Sequence, residues 1–283
     1  MIMRIIENIQ EMQRWGEAKR CSGRRIVLVP TMGFLHEGHL SLVRAGRKMG
    51  DELVVSIFVN PTQFAPGEDY ASYPSDLERD CKLLEKEGVD VLFHPPAEEI
   101  YPKGYQTHVE VERLRSFLCG AFRPGHFRGV ATVVAKLLNI VRPHVAIFGA
   151  KDYQQLQIIR RMVVDLNFDV EVVGHPLARE QDGLAMSSRN VYLSQDERRA
   201  ALSLHRSLVT AQSIVRAGER RRERIIEGVR GELDKEPLVQ VEYVQLCDPE
   251  TLEEVKRVEG ESLLALAVRL GKARLIDNTI LRP

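Results

Sequence analysis

Apolar positions along the first 173 residues fall into two alternating periods. Residues 4–20 carry Ile5, Ile6, Ile9, Met12 and Trp15 on one helical face, which predicts a helix. A continuous apolar run at 26–29 predicts a buried strand, and 40–48 predicts the helix after it. Residues 51–59 predict a second strand, apolar as one buried on both faces should be. After a loop at 65–74, Ser75 or Asp76 is suited to cap a helix running to about residue 87, with Gly88 as its stop. Residues 89–93 predict strand three, and the alternation at 107–111 predicts an edge strand. A strongly apolar helix at 130–141 ends before Pro143. A strand at 145–148, a helix to about residue 167 and a strand at 169–173 complete the series. Strand–helix–strand repetition implies right-handed crossovers and an α/β fold with a doubly wound parallel sheet.

The pattern changes after Pro176. Residues 178–190 are polar, 196–232 are helical in spacing, and 240–246, 263–268 and 274–276 read as strands. A Rossmann-like domain at 1–177 followed by a smaller C-terminal α+β domain at 178–283 is the expected organisation.

Composition narrows the function classes. Of 283 residues, 44% are hydrophobic and 28% charged, ordinary for a globular protein. Forty basic and forty acidic side chains cancel, so no global basic field for nucleic acid exists. The run Arg220-Arg221-Arg222-Glu223-Arg224 interleaves with Glu219 and Glu227 and reads as a solvated helix face. Cys21, Cys81, Cys119 and Cys247 form no Cys-x-x-Cys pair and read as free thiols of a reducing compartment. No apolar run approaches the roughly 20 residues of a membrane span. The N-terminal stretch has Glu7, Glu11 and Glu17 scattered through it and no signal-peptide core, so a cytoplasmic location is expected.

The candidate chemistry centres on Val29-Pro30-Thr31-Met32-Gly33-Phe34-Leu35-His36-Glu37-Gly38-His39, where the first buried strand hands over to a helix. In an open α/β sheet this is the carboxyl edge, where ligands bind. A helix start offers unpaired N–H groups and a partial positive charge, which suit phosphate. Gly33 and Gly38 allow a tight turn and close backbone approach. A histidine there can donate to a phosphoryl oxygen whose charge grows during transfer. By spacing alone a metal reading is equal to the phosphate reading, although the zinc-protease pattern is His-Glu-x-x-His. The strand–turn–helix context tilts toward phosphate.

Two more polar clusters follow strand ends: Asn60-Pro61-Thr62-Gln63-Phe64 and Gly149-Ala150-Lys151-Asp152-Tyr153-Gln154-Gln155. Lys151 can neutralise a phosphate and Asp152 can accept from a ribose hydroxyl, but a capping Asp beside a solvated Lys is the commoner use of such a pair. Gln63 and Gln155, usually surface amides, could together bind a polar organic substrate. Met186-Ser187-Ser188-Arg189 offers two hydroxyls and a guanidinium able to fork onto phosphate. Neither a Walker P-loop nor a Gly-x-Gly-x-x-Gly after the first buried strand is present.

In conjunction these segments resemble a known family. Pro30-Thr31-Met32-Gly33 with Leu35-His36-Glu37-Gly38-His39, Asn60-Pro61 with Gln63-Phe64, Tyr73-Pro74, Gly125-His126-Phe127-Arg128-Gly129-Val130, Lys151-Asp152-Tyr153-Gln154-Gln155 and the stretch from Asp182 to Asn190 are similar, in order, to motifs of the pantothenate synthetases, members of the His-x-Gly-His nucleotidylyltransferase superfamily. Ala150 departs from the Glu common there, while Lys151 and Asp152 remain. The resemblance implies ATP-dependent condensation of pantoate with β-alanine through a pantoyl adenylate, releasing AMP and pyrophosphate, with magnesium travelling with ATP. It implies His39, His36, Lys151 and Arg189 as catalytic residues. The ATP contacts it implies are Met32, Gly33, His36, Gly38, His39, Gly149, Lys151, Asp152, Ala178 (through its backbone), Met186, Ser187, Ser188 and Arg189. Gln63, Gln155 and Asn60 would hold pantoate or β-alanine. No protein-held metal, no nucleic acid and no membrane are implied, and a homodimer is.

Three other readings stand beside this one. They are a nucleotidylyltransferase acting on a phosphate-bearing acceptor, a non-enzymatic nucleotide-binding module, and a zinc hydrolase using His36 and His39. The neutral pair Gln63 and Gln155, instead of a basic acceptor pocket, favours the ligase over the first of these.

Overall fold

The computed structural model describes residues 3–283. Among them the chain runs β1 (Arg4–Ile6), α1 (Ile9–Cys21), β2 (Ile26–Thr31), α2 (Glu37–Arg47), β3 (Glu52–Ile57), α3 (Leu77–Lys86), β4 (Val91–Phe93), α4 (Ala97–Ile100), α5 (Leu118–Phe122), α6 (His126–Val141), β5 (Val145–Gly149), α7 (Tyr153–Asp165), β6 (Glu171–His175), α8 (Gln195–Arg216), α9 (Arg222–Leu233), β7 (Gln240–Cys247), β8 (Ser262–Leu270) and β9 (Ala273–Leu281). Single 3-10 turns occupy Pro61–Gln63, Ala150–Asp152 and Ser188–Tyr192.

The chain forms two compact units. The first holds residues 3–115, Arg123–Ala150 and Gln155–Pro176. The second holds Ser116–Phe122, Lys151–Gln154 and Leu177–Pro283. The domain boundary expected near residue 177 puts 116–122 and 151–154 in the first domain, whereas they pack within the second unit. Long-range polar contacts explain where they go: Cys119 Sγ lies 3.2 Å from the Tyr243 hydroxyl, Gln154 donates to the Phe117 carbonyl, and Asn278 donates to the Lys151 carbonyl.

In the first unit six parallel strands take the order β1-β4-β3-β2-β5-β6, flanked by helices. Strands β2 and β3 are in register from Ile26↔Glu52 to Thr31↔Ile57, and β5 joins the other side of β2 at Val27↔Val145. The strand order therefore reverses between β2 and β5, the switch point at which such sheets open a crevice for ligands. Val27, Val29, Leu53, Val55, Val145 and Ile147 face one way, as the two-residue period of a strand requires, and pack with Leu42 and Val43 of α2 and Leu84 of α3. Gly46 of α2 permits this closeness, since a Cβ there would meet Leu53, Val27 and Ile147 side chains within 3.4 Å. Helix α6 is apolar almost all round, fitting a helix buried on most of its surface.

The N-terminus and the 107–111 stretch correct the sequence reading. Residues 4–6 form strand β1 alongside β4, not the first turn of a helix. The adjacent β-branched Ile5 and Ile6 alternate exposed and buried, and α1 begins only after Asn8, whose side chain accepts the Glu11 N–H at 3.1 Å. Residues 107–111 pair with no strand. The Val109 N–H goes instead to Thr132 Oγ1 of α6 at 3.0 Å, so a helix side chain supplies the partner that an edge strand would have needed.

In the second unit β7-β8-β9 form an antiparallel sheet covered by α8 and α9. Leu204, Leu208, Ile225, Val229, Leu246, Leu264 and Leu266 make its core. The helix expected over 196–232 is two helices, because Gly218 takes φ +98°, a left-handed conformation that stops α8. Ser194 and Glu197 cap the start of α8 reciprocally.

One glycine couples core packing to the ligand edge. A Cβ on Gly129 of α6 would lie 2.4 Å from the Thr62 carbonyl oxygen and 2.7 Å from the Gln63 nitrogen, both backbone atoms. Gly129→Ala is expected to destabilise the protein by about 1–3 kcal/mol, the usual cost of overpacking, by pushing the Pro61–Gln63 turn outward. Urea unfolding checks this, and an unchanged midpoint would show that the turn moves freely.

Candidate active site

The turn after β2 is built on two successive left-handed residues, Gly33 at φ +81° and Phe34 at φ +49°. Such a conformation in a bulky residue is strained and persists only where the surroundings impose it. Here α3 imposes it. The buried Asp80 carboxylate accepts the Leu35 N–H at 2.8 Å and also hydrogen-bonds the Phe34 backbone. Arg79 donates to the Leu35 carbonyl at 2.8 Å, with its guanidinium over the Phe34 ring. Burial pushes the Asp80 carboxyl up from its usual range, and the two backbone bonds oppose that rise only in part. From β2 itself, Thr31 Oγ1 donates to the Ser56 carbonyl and accepts the Gly33 N–H.

This turn delivers His36 as the N-cap of α2, with His39 one turn further on. Their rings are 4.0 Å apart between centroids. The His36 N–H donates to His39 Nδ1 at 3.3 Å. In the neutral ring Nδ1 is therefore the acceptor and Nε2 carries the proton. The arrangement makes His39 a hydrogen-bond donor through Nε2 at the positive end of a helix.

The loop after β3 meets the same turn. Asn60 is buried, and its Oδ1 accepts from the Tyr101 hydroxyl at 2.8 Å and from Thr62 Oγ1 at 2.9 Å. Its Nδ2 then donates to Gln63 Oε1 and to the Gly129 carbonyl, both at 3.1 Å. Gln63 Oε1 is thereby an acceptor, and Gln63 Nε2 points its donor at Met32 Sδ, 2.9 Å away. Burial raises the Tyr101 phenol to about 12, against weaker opposition from its bonds to Thr62 and Asn60, so it remains a donor at neutral pH. The structure thus joins three of the residues singled out in the sequence, Met32, Asn60 and Gln63, in one polar chain.

Gly149 ends β5, beside the end of β2 at the same sheet edge. Gln155 is half-buried near the start of α7. Lys151 and Asp152 follow Gly149 within a 3-10 turn, 3.5 Å apart. The 151–154 segment packs in the second unit, where the 178–190 hairpin also lies. In that hairpin the Ala178 carbonyl accepts the Met186 N–H at 3.0 Å, and Ser187 caps the turn carrying buried Ser188 and half-buried Arg189.

Sequence reasoning passed over Asp80, Asn60's partner Tyr101, and the Arg123–Glu68 pair. For Asp80 a signal was present: it stands one turn from Leu84 on the buried stripe of α3, where an acid requires a partner. Tyr101, Glu68 and Arg123 lie in irregular chain far from their partners, and no periodicity marks them. Among the described residues no group of three His, Cys, Asp or Glu side chains is placed to hold a metal ion.

Over residues 4–280 the chain matches the family described as pantoate–β-alanine ligase. It is 58% identical over 278 residues to the pantothenate synthetase of Heliobacterium modesticaldum, covering 98% of this chain and 99% of that one. It is 57% identical to the pantothenate synthetase of Thermotoga petrophila, covering 99% and 100%. The crystal structure of Thermus thermophilus pantothenate synthetase superposes with a TM-score of 0.94 at 46% identity, covering 99% and 100%. The pantoate–β-alanine ligase of Francisella tularensis, complexed with β,γ-ATP and β-alanine, superposes with a TM-score of 0.78 at 33% identity, covering 98% and 97%.

The loop leading away from Gln63 carries a pH-dependent fastening. Arg123 forks onto Glu68 with two bonds of 2.7 Å, and His126 Nδ1 lies 2.7 Å from the Gln63 carbonyl. Burial alone would raise the Glu68 carboxyl, but Arg123's hydrogen bonds and charge prevail and hold it below its ordinary 4.5. A depressed acid contributes stability that is present above its unfolded value and lost as pH falls through its folded one. The unfolding free energy of the parent should exceed that of Glu68→Gln by on the order of 1 kcal/mol at pH 7. That gap should close as the pH drops below 4.5. A gap that did not vary with pH would remove the ion pair from the account.

Proposed function

The chain belongs to the pantoate–β-alanine ligase family, and on that premise we propose how its residues divide the reaction. It is an AMP-forming ligase that condenses pantoate with β-alanine, using ATP as substrate, to make the amide pantothenate. Transfer of a nucleotide to a phosphorylated acceptor is not favoured, since the polar chain at β3 is neutral throughout.

Charge dictates the order of steps. An amine cannot displace oxide from a carboxylate at useful rates. A pantoate carboxylate oxygen attacks the α-phosphorus of ATP, a new P–O bond forms, and the bond to pyrophosphate breaks. The uncharged amine of β-alanine then attacks the acyl carbon of pantoyl adenylate, AMP leaves, and the nitrogen gives up a proton. Exclusion of water protects the adenylate between the two steps.

Within this scheme His39 donates from Nε2 to phosphate oxygen as pyrophosphate departs, with His36 beside it. Lys151 and Arg189 neutralise phosphate charge. Met32, Gly33, Gly38, Gly149, Asp152, Ala178, Met186, Ser187 and Ser188 contact the nucleotide. Gln63 and Gln155, with Asn60 behind Gln63, hold pantoate. Magnesium enters with ATP as part of the substrate. A homodimer and a cytoplasmic location belong to the same proposal. The observation that carries the reading is the His36 N–H to His39 Nδ1 bond, which makes Nε2 the donor at a helix N-terminus beside the sheet's switch point.

Adenylation needs no amine. The enzyme should therefore exchange labelled pyrophosphate into ATP with pantoate and magnesium alone. His39→Ala should depress that exchange by the roughly 2.7–4 kcal/mol that loss of one donor to a developing oxyanion costs. Gln155→Ala should raise the KM for pantoate more than it lowers kcat. Exchange that required β-alanine would end the stepwise scheme, and parent-rate exchange by His39→Ala would move the catalytic centre elsewhere.

A further inference from the structure

Two adjacent residues of β9 each hold a different piece of the phosphate machinery. Successive side chains of a strand point to opposite faces. Asp277 shares a face with Thr279, which accepts a hydrogen bond from Gln212 of α8 at 2.8 Å. On that face Asp277, 2% exposed, receives both Nη atoms of Arg179 at 2.6 and 2.9 Å. Arg179 Nη1 also donates to the Gly183 carbonyl at 3.0 Å. Arg179 and Gly183 belong to the hairpin closed by Glu180 N–H to Leu184 O and Met186 N–H to Ala178 O. The hairpin leads directly into the Ser188–Tyr192 turn that carries Arg189, and that turn packs against β9. On the opposite face Asn278 Nδ2 donates to the Lys151 carbonyl at 2.9 Å. The Asn278 backbone N–H in turn donates to Asp277 Oδ1 at 2.8 Å, so the Asp277 carboxylate is also held by the backbone that bears Asn278.

We propose that Asp277 and Asn278 are positioning residues for adenylation, Asn278 through the Lys151 backbone and Asp277 through Arg179 and the hairpin that ends in Arg189. This role rests on the assignment of Lys151 and Arg189 to the phosphates of ATP. A bidentate carboxylate–guanidinium pair fixes the angle as well as the position of what it holds. A backbone carbonyl fixed beside a lysine Cα limits the arc that its ammonium can sweep. Neither residue need touch substrate. Each holds the segment from which a cation reaches out, and an error near one ångström in such a segment is enough to slow chemistry. Pantoate is held by Gln63 and Gln155, and the second step needs no departing pyrophosphate, so neither depends on these bonds.

The experiment separates the two half-reactions. Pyrophosphate exchange into ATP with pantoate measures adenylation, and release of AMP from supplied pantoyl adenylate with β-alanine measures amide formation. Asn278→Asp has the same shape but no side-chain donor for the Lys151 carbonyl, Asn278→Ala removes the same bond without adding charge, and Asp277→Asn takes the charge from opposite Arg179. Exchange should fall by about 10- to 100-fold in all three, with the KM for pantoate held and amide formation at the parent rate. Parent-rate exchange in both Asn278 variants, or a parallel loss of both half-reactions in folded protein, would overturn the proposal. If Asp277→Asn does not fold, the two Asn278 variants decide. If the parent itself fails to exchange pyrophosphate with pantoate, the assigned chemistry fails, an outcome distinct from failure of the positioning role.

Discussion

Asp80 accepts the Leu35 N–H from beneath a turn in which Gly33 and Phe34 both take positive φ, and the ligand edge of the sheet depends on that bond. A strained residue costs roughly 1–3 kcal/mol, and a buried N–H left without a partner costs about as much again. The carboxylate offsets both, at the expense of its own desolvation, which shows in its raised proton affinity. Because Asp80 sits on α3 and the turn follows β2, helix packing on one face of the sheet sets the path of the chain at its end. Without the turn, His36 would not fall at the N-cap of α2, and the His36 N–H would not reach His39 Nδ1. The tautomer of His39 is thus a consequence of a buried acid on another helix.

The cations follow a different logic. The first unit supplies the histidines and the amide-bearing loops, while Lys151 and Arg189 belong to the second. Only four residues, 151–154, leave the sheet's own unit after β5, and α7 returns to it from Gln155. Among their fastenings are a bond from a strand, Asn278 to Lys151, and a bond to the chain before α5, Gln154 to Phe117. The same strand β9 bears the Arg179–Asp277 pair, so rigidity within the second unit is shared between the segments that carry its two assigned cations.

Much of this was legible in the sequence, and the exceptions have physical reasons. Strands 26–29, 51–59 and 145–148 were plain because a parallel strand covered on both faces must be apolar throughout. The histidine turn was plain because glycines and histidines fall where that period breaks. Strand β1 was missed because Ile5, Ile6 and Ile9 satisfy a helical spacing as well as a short strand. Its three residues are strand only by pairing with β4, a contact 87 residues away. The break between α8 and α9 lay in a single glycine that propensity alone tolerates inside a helix. Asp80 was visible as an acid on an apolar stripe, but its target was not. Which backbone N–H a buried carboxylate serves is a tertiary fact, and the same holds for Tyr101 on Asn60 and Asp277 on Arg179.

With Gln63 assigned to pantoate as proposed, the chain of amides after β3 offers a reason for neutral groups in place of cations. The Gly129 carbonyl can only accept, so Asn60 must turn its Nδ2 toward it and toward Gln63 Oε1, and Gln63 must present its nitrogen. The orientation of an amide that could otherwise flip is settled by a backbone carbonyl that has no proton to give. The nitrogen rests against a thioether, a weak acceptor that a carboxylate or hydroxyl oxygen displaces readily. A guanidinium in its place would bind a carboxylate more tightly but would stabilise the charge that has to attack phosphorus. Binding that is equally strong before and during attack does not speed the chemical step, and binding that is stronger before attack slows it. On the proposed assignment an oriented neutral donor would position the nucleophile while leaving its charge available, and the cations would serve the phosphates, where negative charge accumulates as pyrophosphate leaves.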